Sequence, residues 1–236
     1  MEKRKSFTKS HYKAVIKRLI YENGSLSRTE IQKKLGIRPA SITQLTKELI
    51  KEKILIEKGF GNNKKGKKQR LLTLNPIGGS VIGIEFDPQS IHGLMINLEN
   101  KIISEKNYTF LEGTGSNQII DLLKKTIHQL IHHNSIHLPP LLGIGIADPG
   151  LVDRERGISL FCSQIADWRE VPLRQILEKE FQIPIFIEGN TNCKLLAESL
   201  FGAGRDFQNQ IYIDLSYGIG ASLMTHGSFY YGAQGL

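Results

Sequence analysis

Cysteine is nearly absent from these 236 residues: Cys162 and Cys193 are the only two. Two thiols so far apart exclude a disulfide framework and a CxxC metal site, and they point to a reducing compartment. Long apolar runs are missing as well. The basic start Met1-Glu2-Lys3-Arg4-Lys5 has the charge of a secretion leader, but Lys13, Lys17 and Arg18 interrupt the segment behind it. No stretch approaches the roughly 20 apolar residues of a membrane span. A soluble, cytoplasmic protein with no membrane partner is therefore expected. Acidic residues are scarce in one region only. Through Asn75 the chain carries 20 Lys+Arg against 6 Asp+Glu, and beyond it 11 against 17, so a head of net charge +14 precedes a body of −6. Clustered Lys and Arg gain free energy by releasing counterions from phosphate backbones. The head is thus expected to bind a polyanion and the body to sense or catalyse. The length allows two cores, and the domains are drawn at residues 1–75 and 80–236.

In the head, Val15, Ile16, Leu19 and Ile20 recur at helical spacing, which predicts a helix from about Lys9 to Glu22, ended by Asn23-Gly24. Ser27-Arg28-Thr29-Glu30 has the form of a capping box opening a second helix, with Ile31, Leu35 and Ile37 on its buried side. Gly36 makes a turn, and Pro39 suits the first position of a third helix, where its missing N–H is no loss. Ile42, Leu45 and Leu49 form the inward stripe of that helix. Its other face carries Ala40, Thr43, Gln44 and Lys47, short or hydrogen-bonding side chains suited to base edges. Ile54–Glu57 and Arg70–Leu74 read as two strands joined by a Gly/Asn-rich loop containing Lys64, Lys65, Lys67 and Lys68, a wing that would lie along phosphates. Helix, capped helix, turn, polar-faced helix and basic hairpin form the pattern of a winged helix-turn-helix. Ser27, Arg38, Pro39, Ala40, Ser41, Thr43, Gln44, Lys47, Arg70 and the four lysines are its candidate contacts to double-stranded DNA. A plain helical bundle with a solvated lysine loop is the alternative.

Past Asn75-Pro76-Ile77-Gly78-Gly79 the pattern changes. Val81–Phe86, Ile91–Leu98 and Ile102–Phe110 are apolar runs at the spacing of a meander, followed by an amphipathic segment, Asn117–His132. A strand at Leu141–Ala147 precedes helices near Val171–Phe181 and Thr191–Phe201, which alternate with strands at Ile183–Ile187 and Gln210–Leu215. A mixed sheet with helices on its faces is expected, hence an α/β body. His128 and His132 share a helix face, with His133 and His137 nearby, yet no carboxylate or cysteine joins them, so no metal is expected there.

Gly143-Ile144-Gly145-Ile146-Ala147-Asp148-Pro149-Gly150-Leu151-Val152-Asp153, Trp168-Arg169-Glu170-Val171-Pro172-Leu173, Ile187-Glu188-Gly189-Asn190-Thr191-Asn192 through Leu196-Ala197-Glu198, and Gly218-Ile219-Gly220-Ala221 resemble, in order, the motifs of the ROK family. That family joins sugar kinases to repressors of sugar operons on an actin-like, ribonuclease H-like ATPase fold. Its repressor branch, similar to the xylose and N-acetylglucosamine repressors, carries an N-terminal winged helix ending in Leu-x-Leu-Asn-Pro, which Leu72-Thr73-Leu74-Asn75-Pro76 matches. The resemblance implies a homodimer that binds a palindromic operator, represses carbohydrate-utilisation genes, and takes a sugar or sugar-phosphate effector.

Kinase chemistry is expected to be lost. Where the resemblance calls for Asp-x-Gly-Gly-Thr at the first phosphate turn, this chain has Glu85-Phe86-Asp87-Pro88-Gln89-Ser90, without a glycine and with a proline that lacks an amide hydrogen. The catalytic aspartate of Glu-Asn-Asp-Ala-Asn aligns with Asn190, whose amide accepts no proton near neutral pH. Glu188, Asp148 and Asp214 are read as structural residues at strand ends or turns. Gln164, Trp168, Glu188 and Asn190 are candidate effector contacts, with core packing as the other reading for Trp168. Gly218 and Gly220 are candidates for a remnant phosphate turn or for tight strand packing. The chain reaches Leu236 before the family's Gly-Glu-x-Gly-His motif and cysteine-rich zinc site. The second lobe is therefore expected to be incomplete, as a fragment or a shortened regulator, and no cofactor is expected. An ATP-dependent sugar kinase is the alternative function.

Overall fold

A computed structural model describes residues 8–60, 68–132 and 138–233. The chain divides into two compact units, Met1–Gly79 with Asn97–Asn100, and Ser80–Ile96 with Lys101–Leu236.

The first unit runs α1 (Lys9–Asn23), β1 (Leu26–Ser27), α2 (Arg28–Leu35), α3 (Pro39–Lys51), β2 (Leu55–Phe60) and β3 (Arg70–Leu74). Local chemistry sets each boundary. The Thr8 hydroxyl accepts from the His11 amide to open α1, and Gly24, at φ 73°, ends it. Ser27 and Glu30 form the reciprocal capping box of α2, Gly36 closes that helix in the left-handed conformation at φ 63°, and Pro39 opens α3. The strands pair antiparallel in the order β1-β3-β2. Ile16, Ile20, Ile31, Ile42, Leu49, Leu55 and Leu72 are buried together as one core, each contributing about 1.5–3 kcal/mol relative to exposure. Asn75 Nδ2 donates to the Lys53 carbonyl at 2.7 Å. Gly78 passes so close that a Cβ would stand 1.9 Å from that same oxygen, so only glycine fits.

The second unit opens with β4 (Ser80–Phe86), β5 (Ser90–Asn97), β6 (Ile102–Thr109), α4 (Ser116–His132) and β7 (Leu141–Asp148). It continues with β8 (Leu151–Asp153), β9 (Ile158–Phe161), β10 (Arg169–Val171), α5 (Leu173–Phe181), β11 (Ile185–Gly189) and α6 (Asn190–Phe201), then β12 (Gln210–Leu215), β13 (Ile219–Thr225) and β14 (Ser228–Phe229). A five-stranded sheet of order β11-β7-β4-β5-β6 is parallel across β11, β7 and β4 and antiparallel at β5-β6. The meander and the α/β alternation are both present. Ile119, Leu123, Ile127 and Leu130 of α4, at spacings of three and four, press onto Ile82, Ile84, Ile144 and Ile146 of the sheet. Two three-stranded sheets, β10-β9-β8 and β12-β13-β14, complete the unit; their short strands β8, β9, β10 and β14 carry too few alternations to register in the sequence. No described helix is long and apolar enough to cross a membrane.

Candidate functional site

In the first unit, Arg38, Pro39, Ala40, Ser41, Thr43, Gln44 and Lys47 are all exposed, while Ile42, Leu45 and Leu49 between them face the core. The helical period therefore presents the candidate contacts as one polar row. A groove of about 450 Å³ beside it adds Lys9 and Tyr12 of α1, which the sequence pattern did not single out. Lys9 and Lys13 tie α1 to α3 through Glu48, at 2.6 and 2.9 Å, and their ammonium groups hold the Glu48 carboxyl at about 2. Thr43 donates its hydroxyl to the Pro39 carbonyl at 3.0 Å. Ser27 is misplaced in the sequence reading. It is 2% exposed, and its hydroxyl is occupied twice within the helix cap, accepting from the Glu30 amide at 3.3 Å and donating to the Glu30 carboxylate at 2.7 Å. Arg70 is exposed but ion-paired to Glu57. Lys68 is exposed, and Lys64, Lys65 and Lys67 lie outside the described residues.

In the second unit, a cavity of about 710 Å³ opens where the ends of β7 and β11, the segment after β9, the start of α6 and the strand β13 converge. Glu188, Asn190, Gln164, Gly218 and Gly220 all line it. Glu188 is held from several sides: it accepts from the Gly189 amide at 3.0 Å, from Asn192 Nδ2 at 2.9 Å and from the Tyr231 hydroxyl at 2.9 Å, with Arg154 Nη1 at 3.8 Å. Arg154 in turn lies 3.5 Å over the Tyr231 ring. Burial and the neighbouring carboxylate push the Tyr231 phenol up to about 12. Asn192 Oδ1 accepts from the Ser222 hydroxyl, and Thr191 donates to Asn190 Oδ1 at 3.3 Å. The cavity is thus furnished with amides and hydroxyls around one carboxylate. Asn192 stood within the quoted motif; Arg154, Ser222 and Tyr231 carried no signal of their own.

Trp168 is not part of this cavity. Its ring is 1% exposed, tilted against Phe86 at 5.2 Å, with Nε1 donating to the Ser159 hydroxyl at 2.7 Å. An indole satisfied at its polar end and covered over both faces is core, which corrects its candidacy as an effector contact. Gly220 is explained by packing: a Cβ there would stand 2.6 Å from Thr191 Oγ1, whereas one at Gly218 would meet nothing nearer than 3.7 Å.

The turn after β4 has closed on itself. Asp87 Oδ1 accepts from the Gln89 and Ser90 amides at 2.7 and 2.6 Å, Oδ2 accepts from the Ser90 hydroxyl at 2.5 Å, and the Asp87 amide donates to the Ser90 carbonyl. The donors a phosphate would need are consumed by a fixed carboxylate, whose charge also repels an anion. Tyr217, between β12 and β13, donates to Gln89 Oε1 at 3.3 Å and accepts from Gln164 Nε2 at its carbonyl, 2.8 Å away.

The other acidic groups are likewise engaged. Lys194 binds Asp214 at 2.7 Å and Glu85 at 3.5 Å. Asp148 is wholly buried; Oδ1 accepts from the Gly150 amide at 2.8 Å, and Oδ2 makes no hydrogen bond of ordinary geometry. Burial pushes its carboxyl up to about 6, against the Ser159 hydroxyl and the Gly150 amide, which favour the charged form. No group of three or more His, Cys, Asp or Glu among the described residues is placed to hold a metal. Cys162 and Cys193 have thiols pushed upward by burial, that of Cys193 to about 12. His128 pairs with Glu180 at 3.0 Å, and His133 and His137 lie outside the described residues.

The sequence model of the ROK family matches residues 81–236. The chain belongs to the ROK family. Among curated relatives, a putative xylose repressor of Caldicellulosiruptor sp. (strain Rt8B.4) is 33% identical over 223 residues, 94% of this chain and 56% of that protein. The xylose repressor of Bacillus subtilis (strain 168) is 27% identical over 234 residues, 98% and 59%. The DNA-binding transcriptional dual regulator NagC of Escherichia coli K12 is 26% identical over 224 residues, 94% and 54%. The chain therefore spans just over half the length of these relatives. A ROK family transcriptional regulator described as a homolog of E. coli MLC protein superposes with a TM-score of 0.75 at 24% identity, covering 88% of this chain and 52% of that one. A ROK family glucokinase from Streptomyces griseus, in complex with glucose and AMPPNP, superposes at 0.57 with 25% identity, covering 65% and 47%. The mixed α/β body has the actin-like fold of ROK proteins.

Proposed function

We propose that the protein is a sugar-responsive transcriptional regulator, a repressor of carbohydrate-utilisation genes, in which residues 1–75 form a winged helix-turn-helix on operator DNA and residues 80–236 form a catalytically silent ROK domain. The observation that carries the reading is the α3 surface. Seven consecutive-face residues from Arg38 to Lys47 are exposed, small or hydrogen-bonding, on a head of net charge +14, in a chain whose relatives include repressors. The dimeric, palindrome-binding arrangement belongs to the same proposal.

Silence of the kinase-like body is supported by three features. Asn190 replaces the proton acceptor, the Asp87 turn offers no free amides, and Glu188, Asp148 and Asp214 are each held in other bonds. The effector is an uncharged sugar rather than a sugar phosphate. Gln164, Asn190, Asn192, Thr191 and Ser222 supply donors and acceptors for hydroxyl groups, and Arg154, the cation beside Glu188, is taken up by that carboxylate and the Tyr231 ring and does not itself line the cavity.

Duplexes selected from a random library, titrated by fluorescence anisotropy, test the first half. Affinity is expected to fall steeply with salt and to drop about tenfold in K47A. Thermal shift with uncharged pentoses and hexoses and with their phosphates tests the second, the uncharged sugar raising Tm and releasing the duplex. Sugar-dependent ATP turnover would instead establish the kinase.

A further inference from the structure

Glu57 of β2 sits between two guanidinium groups. Its Oε1 lies 2.9 Å from Arg28 Nη2 and its Oε2 lies 2.6 Å from Arg70 Nη1. Arg28 begins α2, and its Nε donates to Thr46 Oγ1 at 2.9 Å. Thr46 lies on the inner side of α3, fully buried, with its hydroxyl donating to the Ile42 carbonyl at 2.8 Å. Arg70 begins β3, its guanidinium 5.9 Å from the centre of the Phe60 ring at the end of β2. One carboxylate therefore links α2, α3 and both strands that lead to the basic loop. The three charged side chains are not deeply buried: 28% exposed for Arg28 and Glu57, 62% for Arg70. Exposed pairs of this kind add little to stability, so a role in the fold alone does not account for the arrangement.

Electrostatics supplies the other role. Two free arginines on the DNA-binding unit would bind any phosphate backbone, since counterion release rewards each contact without regard to sequence. We propose that Glu57 is a specificity-determining residue: by holding Arg28 and Arg70 in ion pairs, it withholds two cations from indiscriminate phosphate binding and fixes the base of the wing against α3. The inference rests on the DNA-binding reading above. It also reassigns Arg70, a predicted phosphate contact, to a residue whose charge is restrained.

The test compares wild type with E57Q, which keeps the shape and removes the charge, and with E22Q, which removes an equal charge from the Arg18 pair on α1. Anisotropy against a non-specific duplex and a selected duplex, from 50 to 200 mM salt, is the measurement. E57Q is expected to bind the non-specific duplex about 3- to 10-fold more tightly, with a salt slope steeper by roughly one to two. Its preference for the selected duplex falls, and E57Q/R70A returns the slope towards wild type. E22Q leaves both nearly unchanged. Equal effects of E57Q and E22Q would reduce the matter to net charge, and an unchanged E57Q slope, or an E57Q chain that no longer folds, would likewise overturn the inference. Wild type that binds no duplex at 50 mM salt would sink the DNA-binding reading itself, and this inference with it.

Discussion

The five-stranded sheet and the β12-β13 pair of the smaller sheet are both built from apolar strands of five to eight residues, yet they use their faces in opposite ways. In the larger sheet Ile82, Ile84, Ile144 and Ile146 point under α4 and are buried. In the smaller one, alternate residues Ile211, Ile213 and Leu215 of β12 and Ile219 and Leu223 of β13 share the outward face, with Ile213 at 62% and Ile219 at 86% exposure. The side turned towards α6 is the polar one. Gln210 donates there to the Gly204 and Phe207 carbonyls, Asp214 binds Lys194, and Ser222 binds Asn192. Period-two patterning tells which residues share a face and is silent on which face is covered. Gly220 and Ser222 of the inner face reach the cavity, together with Ile219, Ala221 and Leu223 of the apolar face, so β13 offers it both kinds of surface.

The sharpest break in that comparison is expected from a matched pair of truncations. Ile144→Ala, in the middle of the covered sheet, should lower unfolding free energy by about 2–5 kcal/mol, while Ile213→Ala should stay within about 0.5 kcal/mol. Equal losses in urea melts would mean that the β12 face is not free in solution. Next in size is Asp148 at the end of β7. Below about pH 4 its carboxyl is protonated folded or unfolded; as pH rises through about 6 the folded state must hold a buried anion, and stability is lost. The loss by pH 8 is on the order of 3 kcal/mol. Asp148→Asn keeps an acceptor for the Gly150 amide and should melt higher than wild type at pH 8, with the gap closing near pH 4. A variant less stable at pH 8 would show the carboxylate to be well satisfied. The smallest expected effect lies where β13 meets α6. Gly220→Ala should cost about 1–3 kcal/mol through the approach to Thr191 Oγ1, and Thr191→Ala should recover most of it in the double variant. Gly218→Ala, in open space, is the tolerated counterpart.

How far the sequence reaches follows from the range of each signal. The capping box at Ser27, the left-handed Gly36 and Pro39 at the head of α3 are decided within four residues, and they are legible without a fold. The inward stripe of α4 is legible for the same reason, as is the polar row of α3. The burial of Ser27 is not, because a capping serine and a phosphate-binding serine look alike until the helix is docked. Trp168 is ambiguous in sequence, since only the Ser159 hydroxyl, nine residues away, shows its N–H to be satisfied inside. Tyr231 reaches Glu188 across 43 residues, and Arg154 arrives from a third segment, so no local pattern announces their meeting. Glu57 is similar: its two partners come from helix and strand, and only docking brings both guanidiniums to one carboxylate.

The turn after β4, which contains no glycine, closes on its own carboxylate. A loop that awaits a nucleotide is completed by it, and its order rises and falls with nucleotide supply. The Asp87 turn carries its own anion, covalently attached and always present. Its shape is held by hydrogen bonds of the chain to itself.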